Sequence, residues 1–156
     1  MKKIVLITCV AVLAVVMSNP VAAQQASDQT MLSYEVLTEE WSNLIAGALD
    51  LTEAEGDAFW PVYKQFRLER KALTNRRKDV IKIFVDSYSE MSPEMSRILL
   101  NQSFAIDKEI IELKMKYADL FDDVLPPNKV TRFFQTENKL ETVMKTEIAK
   151  DVPLAK

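Results

Sequence analysis

The sequence predicts an all-α protein: a long antiparallel helical hairpin with shorter N- and C-terminal helices, about four helices in an elongated domain. Three observations predict it. The 156 residues contain only two glycines, Gly47 and Gly56, and few β-branched runs. Apolar residues recur at three- and four-residue steps almost throughout. Helix-start signals stand immediately before the apolar runs at Thr52 and Ser92.

The N-terminus reads as a secretory signal peptide rather than as part of the fold. Lys2 and Lys3 precede an apolar run from Ile4 to Met17, and Val21-Ala22-Ala23 offers small residues at a cleavage site. The rival reading, an uncleaved anchor, meets a run shorter than the ~20 residues a spanning helix needs. A lipoprotein reading would need Cys9 near the cleavage site, but Cys9 lies inside the apolar run. Cleavage after Ala23 predicts an exported, periplasmic product with no stable membrane anchor and no cysteine. It therefore has no disulfide, although its compartment would permit one. Lys2 and Lys3 leave with the signal, taking the 20 cations to 18 against 23 acids, a net charge of −5. A mildly acidic chain of this kind is a poor general binder of nucleic acid.

Residues 24–32 form a polar leader, and a single helical domain is expected over 33–150, followed by a tail at 151–156. The first helix is expected from Tyr34 to Leu49, burying Leu37, Trp41, Leu44, Ile45 and Ala48. The second opens at Thr52, where Thr52 and Glu55 form a capping box, and continues to about Tyr88. Pro61 is expected to kink it or disturb its first turns. Ser92-Pro93-Glu94 starts the third helix with a serine cap and a proline at the first helical position. It runs to about Val124 with Met95, Leu99, Gln102, Ile106, Ile110, Leu113, Tyr117, Leu120 and Val124 on one face. Pro126-Pro127 ends it, and Asn128 is expected to cap a fourth helix reaching Lys150. Its apolar side is Val130, Phe133, Phe134, Leu140, Val143, Met144 and Ile148. The two central helices are roughly 55 and 50 Å long at 1.5 Å per residue. Their short connection near Ser89–Ser92 makes them antiparallel. So long a hairpin does not easily bury its own apolar stripe, and a homodimer is the natural remedy.

Several chemistries are excluded by composition. There is no histidine, which removes the usual neutral-pH base and the commonest metal ligand. Without mature cysteine, thiol chemistry and soft-metal sites go too. Two isolated glycines make no phosphate loop. No carboxylate pair stands out, so no catalytic residue, metal ligand or cofactor is assigned. The methionines Met31, Met91, Met95, Met115 and Met144 are scattered and read as packing. Glu39-Glu40 and Asp122-Asp123 read as solvated helix faces as readily as weak cation sites.

The informative segment is the second helix. Phe59, Phe66, Leu73 and Val80 recur every seven residues, and beside them runs a second row, Tyr63, Arg70, Arg77 and Phe84. Arg70 and Arg77 thus sit in an otherwise apolar stripe. A buried charge needs a partner. With the hairpin turning near Glu90, Arg70 lies opposite about Ile110 and Arg77 opposite about Ser103, so Asp107, Glu109 and Glu112 are candidate partners. One reading is therefore a set of seam ion pairs that fix register. The other is an exposed basic and apolar surface, with Phe66, Arg70, Leu73 and Arg77 as its client-binding residues for acidic or unfolded polypeptide. The aromatic doublets Phe59-Trp60 and Phe133-Phe134 cannot both point inward, since neighbours are about 100° apart on a helix. One member of each should reach a junction, a dimer contact or a ligand. The doublets also form a faint internal echo, each lying eight residues after a leucine, Leu51 or Leu125, with Phe66 and Leu140 seven further on.

Leu51-Thr52-Glu53-Ala54-Glu55 after a secretion signal and a short helix, followed by a long hairpin and a second leucine-led start at Leu125, resembles the Spy/CpxP-like periplasmic helical proteins. These carry a repeated Leu-Thr-x-x-Gln motif. Leu51 and Thr52 match it, with Glu55 in place of glutamine; at the second copy only Leu125 matches, and Pro126 and Lys129 depart. The resemblance implies an all-helical, cradle-shaped homodimer acting as an ATP-independent chaperone, as an envelope-stress regulator docking on a sensor's periplasmic domain, or as a metal-resistance protein. The absence of histidine and mature cysteine fits the metal branch poorly, and the mixed stripe fits the chaperone branch better. The expectation is a non-enzymatic periplasmic protein that binds unfolded or misfolded polypeptide.

Overall fold

A computed structural model describes residues 40–155. Residues 1–39, on which the expected signal peptide, the expected leader and the expected first turns at Tyr34–Glu39 fall, and Lys156 lie outside the described residues. Within them are four α-helices and no strand: α1 (Trp41–Leu49), α2 (Glu53–Asp86), α3 (Pro93–Asp122) and α4 (Pro127–Asp151), with a short 3-10 turn at Tyr88–Glu90. The all-α hairpin architecture is the one the periodicity predicts.

The helix ends follow from local chemistry. Asp50 closes α1 in the left-handed region (φ 47°), which aspartate tolerates better than most residues. The capping box at α2 is complete: the Glu55 amide donates to Thr52 Oγ1 at 3.3 Å and the Thr52 amide donates to Glu55 Oε2 at 2.8 Å. Pro61 does not end α2, which continues unbroken through it. The carbonyl it leaves unpaired belongs to Asp57, an exposed residue, so water can satisfy it. Ser92 caps α3 by accepting from the Met95 amide at 3.1 Å. At α4 the expected Asn128 cap is replaced. Pro126 is the N-cap residue, and its carbonyl already accepts from the amides of Lys129 and Val130, which places Asn128 inside the helix.

α2 and α3 pack along their length, α1 lies on α4, and α4 returns along α3. No Cα of α2 comes within 8 Å of a Cα of α4. Large side chains bridge that gap: the rings of Phe59 and Phe66 stand 5.8 and 5.7 Å from Phe133. Phe133 in turn meets Phe121 of α3 at 4.6 Å. Phe59, Phe66, Phe121 and Phe133 are sealed from solvent, and Trp41, Ile45 and Leu49 close the cluster from α1. Trp60 and Phe134 are only partly buried and pack against its edge. Each doublet thus sends one ring into the core and one to a junction.

The inner faces differ in detail from the expected ones. Leu44 is half exposed, because α1 buries a strict four-step row and Leu44 falls 100° off it. On α3, Phe121 is buried while Met95, Gln102 and Leu120 are exposed; on α4, Val143 is exposed. The buried positions that sequence reading did not select on α4 are acids, Glu137 and Glu141.

The internal echo has a spatial counterpart. Residues 74 apart in sequence meet at Glu55 and Lys129, whose Nζ lies 2.7 Å from Glu55 Oε2. Phe59 and Phe133, also 74 apart, meet ring to ring. Two of the three positions that depart from the motif, Glu55 and Lys129, are therefore each other's partner.

Candidate functional site

The arginine row of α2 has two fates. Arg70 is buried, and its Nη2 donates to Glu141 Oε1 of α4 at 2.8 Å while Nη1 donates to Thr74 Oγ1 at 3.2 Å. Lys114 of α3 donates to the other oxygen, Glu141 Oε2, at 2.9 Å. One carboxylate thus joins three helices. Burial pushes the Glu141 pKa up, but the Arg70 and Lys114 cations more than offset it, and the carboxyl is held below its ordinary value.

Arg77, seven residues on, pairs with Asp107 of α3, and Arg76 grips Glu109 with both guanidinium nitrogens, at 2.9 Å for Nη2. Half of each of the Arg76 and Asp107 side chains remains in solvent. Glu69 of α2 accepts from Lys116 and from the Tyr117 hydroxyl, which completes the α2–α3 seam. Asp107 therefore serves Arg77 as expected, in a register four residues along from the expected Ser103, whereas Glu109 pairs with Arg76 and with neither arginine of the row. Glu112 serves no arginine; it pairs with Lys108 on its own helix. Arg70's partner was expected on α3 and lies on α4.

Of the residues proposed as a client surface, Phe66 is in the aromatic core, Arg70 is sealed, Leu73 is half-buried against the core, and Arg77 is tied to the seam. Phe66 and Arg70 are thus buried, while Leu73 and Arg77 stay partly exposed. Of the motif residues, Leu51 packs against the core, Thr52 and Glu55 form the cap and the Lys129 pair, and Leu125 is buried.

One helical turn before Glu141, Glu137 is fully buried. Trp41 Nε1–H donates to its Oε1 at 2.7 Å, and its Oε2 has no hydrogen-bond partner among the described residues. Arg67 stands 4.0 Å from Oε1, with its guanidinium 4.8 Å from the Trp41 ring centroid. Burial raises the Glu137 pKa, and Arg67 and Trp41 offset this only in part. Two carboxylates with pKa values pushed apart can divide acid and base roles, but Glu137 is sealed from any substrate. Among the described residues no group of three His, Cys, Asp or Glu side chains could hold a metal ion, and no helix is long and apolar enough to cross a membrane.

The open apolar surface lies elsewhere, on the outer side of α3. Leu100, Phe104, Ile111 and Met115 are 52–66% exposed and fall within about 60° of one another around the helix axis. The buried row Ile106, Ile110, Leu113 and Tyr117 occupies the other side. A helix apolar on two faces normally has both covered. Sequence reading missed this row because it sought one stripe per helix. The signal was present as two i, i+4 pairs, Leu100/Phe104 and Ile111/Met115, offset by eleven residues. No protein-family model matches the sequence, and no curated protein or solved structure is significantly similar to it.

Proposed function

We propose that this protein binds unfolded or misfolded polypeptide without enzymatic chemistry or ATP, as a chaperone-like component of the periplasm. The observation that supports this reading is the outer face of α3. Four large apolar side chains stand in solvent, flanked by Arg97 and Lys108, on a helix whose other face is anchored in the core. Exposed apolar groups retain a client segment, and nearby cations favour its capture. The test is aggregation of an unfolding client protein mixed with the exported chain in the absence of ATP. Suppression at stoichiometric amounts is expected, with loss of suppression in Phe104→Lys/Ile111→Lys. No suppression at several-fold excess rejects the reading. Capture of one folded sensor domain in place of many clients would turn it toward a docking regulator.

A second reading, self-association into a homodimer, is favoured by the spacing of the same face. About a centre between Asp107 and Lys108 the row is two-fold symmetric. In an antiparallel pair Leu100 would face Met115, Phe104 would face Ile111, and Lys108 would face Asp107 across the axis. Light scattering separates the two: a doubled mass that Phe104→Lys halves would assign the face to the dimer.

A further inference from the structure

The wide gap between α2 and α4 leaves a groove of about 450 Å³. Trp41 of α1 and Met144 of α4 line it, together with one side of α2. Four cations on that side, Lys64, Arg67, Arg70 and Lys71, fall within about 120° of one another around the helix axis. The carboxylates that touch them are two: Glu141 meets Arg70, and Glu137 stands 4.0 Å from Arg67. Lys64 and Lys71 form no ion pair among the described residues. Two positive charges are thus left over in a groove lined by no carboxylate, on a chain that is acidic as a whole.

The arrangement suits a single anion. Lys64 and Lys71 are seven residues apart, about 10.5 Å along the axis, with Arg67 between them. Lysine stems are long and flexible, so both ammonium groups can bend toward one anion set over Arg67. The Arg67 guanidinium lies 4.8 Å from the Trp41 ring centroid and is too far from Glu137 for a hydrogen bond, which leaves its N–H donors for a ligand. Beside these donors the lining is apolar, from Trp41, Leu68 and Met144. The volume falls within the range of small-ligand sites, about 300–1,000 Å³, and a polypeptide segment of more than a few residues would overrun it.

We propose that this groove binds an anionic amphiphile of the phosphomonoester class, a phosphate group carrying an alkyl chain. The phosphate sits between Lys64 and Lys71 over Arg67, and its charge, close to −2 at neutral pH, answers the two positive charges left over. Arg67 offers a planar fork to the phosphate oxygens, and the two lysines act as point charges. The alkyl chain lies along Leu68, Trp41 and Met144, where removing it from water retains the ligand. None of the lining residues belongs to α3, so this inference does not rest on the outer face of α3 or on the polypeptide proposed for it.

Calorimetric titration of octyl phosphate, below its micelle concentration, into the exported chain tests this. Saturable binding is expected, and Lys64→Ala/Lys71→Ala should weaken it about tenfold or more. Both lysines are exposed, so an unchanged melting transition shows that the variant keeps its fold. Octyl glucoside, which has the chain without the charge, should not bind. Inorganic phosphate, which has the charge without the chain, should bind roughly tenfold more weakly than octyl phosphate. Absence of saturable binding of octyl phosphate overturns the proposal, and so does equal affinity in the lysine variant. Octyl glucoside binding as tightly overturns it, because the cations would then play no part. Inorganic phosphate binding as tightly overturns the amphiphile and assigns the groove to free phosphate. A glutamate-rich peptide that displaces octyl phosphate at a lower concentration overturns it in favour of acidic polypeptide.

Discussion

Arg70 and Arg77 share a helix, a row and a residue type, yet one lies in a sealed three-helix junction and the other on a wet two-helix seam. Arg70 meets Glu141 and, through it, Lys114, where α4 covers the hairpin. Arg77 meets Asp107, half of whose side chain remains in solvent. The difference teaches that an arginine in an apolar stripe does not announce its own role. What lies across from it sets whether it is a buried organiser or a surface clasp. The same contrast recurs on α3, whose inner face is locked into aromatic packing and whose outer face is bare.

The largest expected effect breaks the junction. Glu141→Ala leaves Arg70 buried without a carboxylate and Arg70→Ala leaves the buried Glu141 with Lys114 alone, and urea unfolding should show a loss of about 3–5 kcal/mol for Glu141→Ala and a smaller part of it for Arg70→Ala. The paired replacement Arg70→Met/Glu141→Leu should recover most of it, since apolar groups of similar size need no partner. If Arg70→Ala costs no more than Arg77→Ala, the distinction between the two regions fails.

Phe133→Ala should cost about 3–5 kcal/mol, because Phe133 is the ring through which α2, α3 and α4 meet. Phe104→Ala, on the outer face, should leave stability within about 0.5 kcal/mol while weakening polypeptide binding. Equal destabilisation would show that the outer face of α3 is covered in solution.

Glu137 and Glu55 sharpen the comparison through pH. Glu137 binds its proton more tightly folded than unfolded, so its contribution falls as pH rises from the unfolded value near 4.5 toward its raised folded value. Glu137→Gln should flatten that part of the stability profile and keep the Trp41 hydrogen bond. Glu55 is the opposite case. The Lys129 ammonium, the Thr52 amide and the Thr52 hydroxyl hold its carboxyl down to about 2. Its contribution is complete above about 4.5 and is lost as pH falls toward 2, and Glu55→Gln should remove that acid-side loss. The smallest effect is expected at the seam. Arg77→Ala should cost about 1 kcal/mol or less, and less still at high salt.

The helices, both side-chain caps and the antiparallel hairpin were legible in the sequence because each depends on residues within a few positions of one another. Thr52 and Glu55 cap the same turn in any fold that contains it, and Ser92-Pro93 starts a helix by itself. The need of Arg70 for a partner was legible as well. The acids meant for it were sought only on α3, although Glu137 and Glu141 interrupt the apolar row between Phe133 and Met144 on α4. An acid in one stripe and an arginine in another are complementary signals, and they can be matched only once α4 is known to face α2 across the core. The outer row of α3 was hidden differently, since its side chains are ordinary core formers and composition does not reveal which face of a helix is left bare.

The sequence by itself determined an all-α chain with these helix starts, no histidine, and an arginine row that had to be neutralised, because periodicity, capping and charge are local properties. Only the tertiary structure decided that Arg70 is sealed by Glu141, that Arg77 is not, and that α3 presents a second apolar face. Those outcomes depend on which helix covers which side, and that is fixed by how Phe59, Phe66, Phe121 and Phe133 fill the space between helices far apart in the chain.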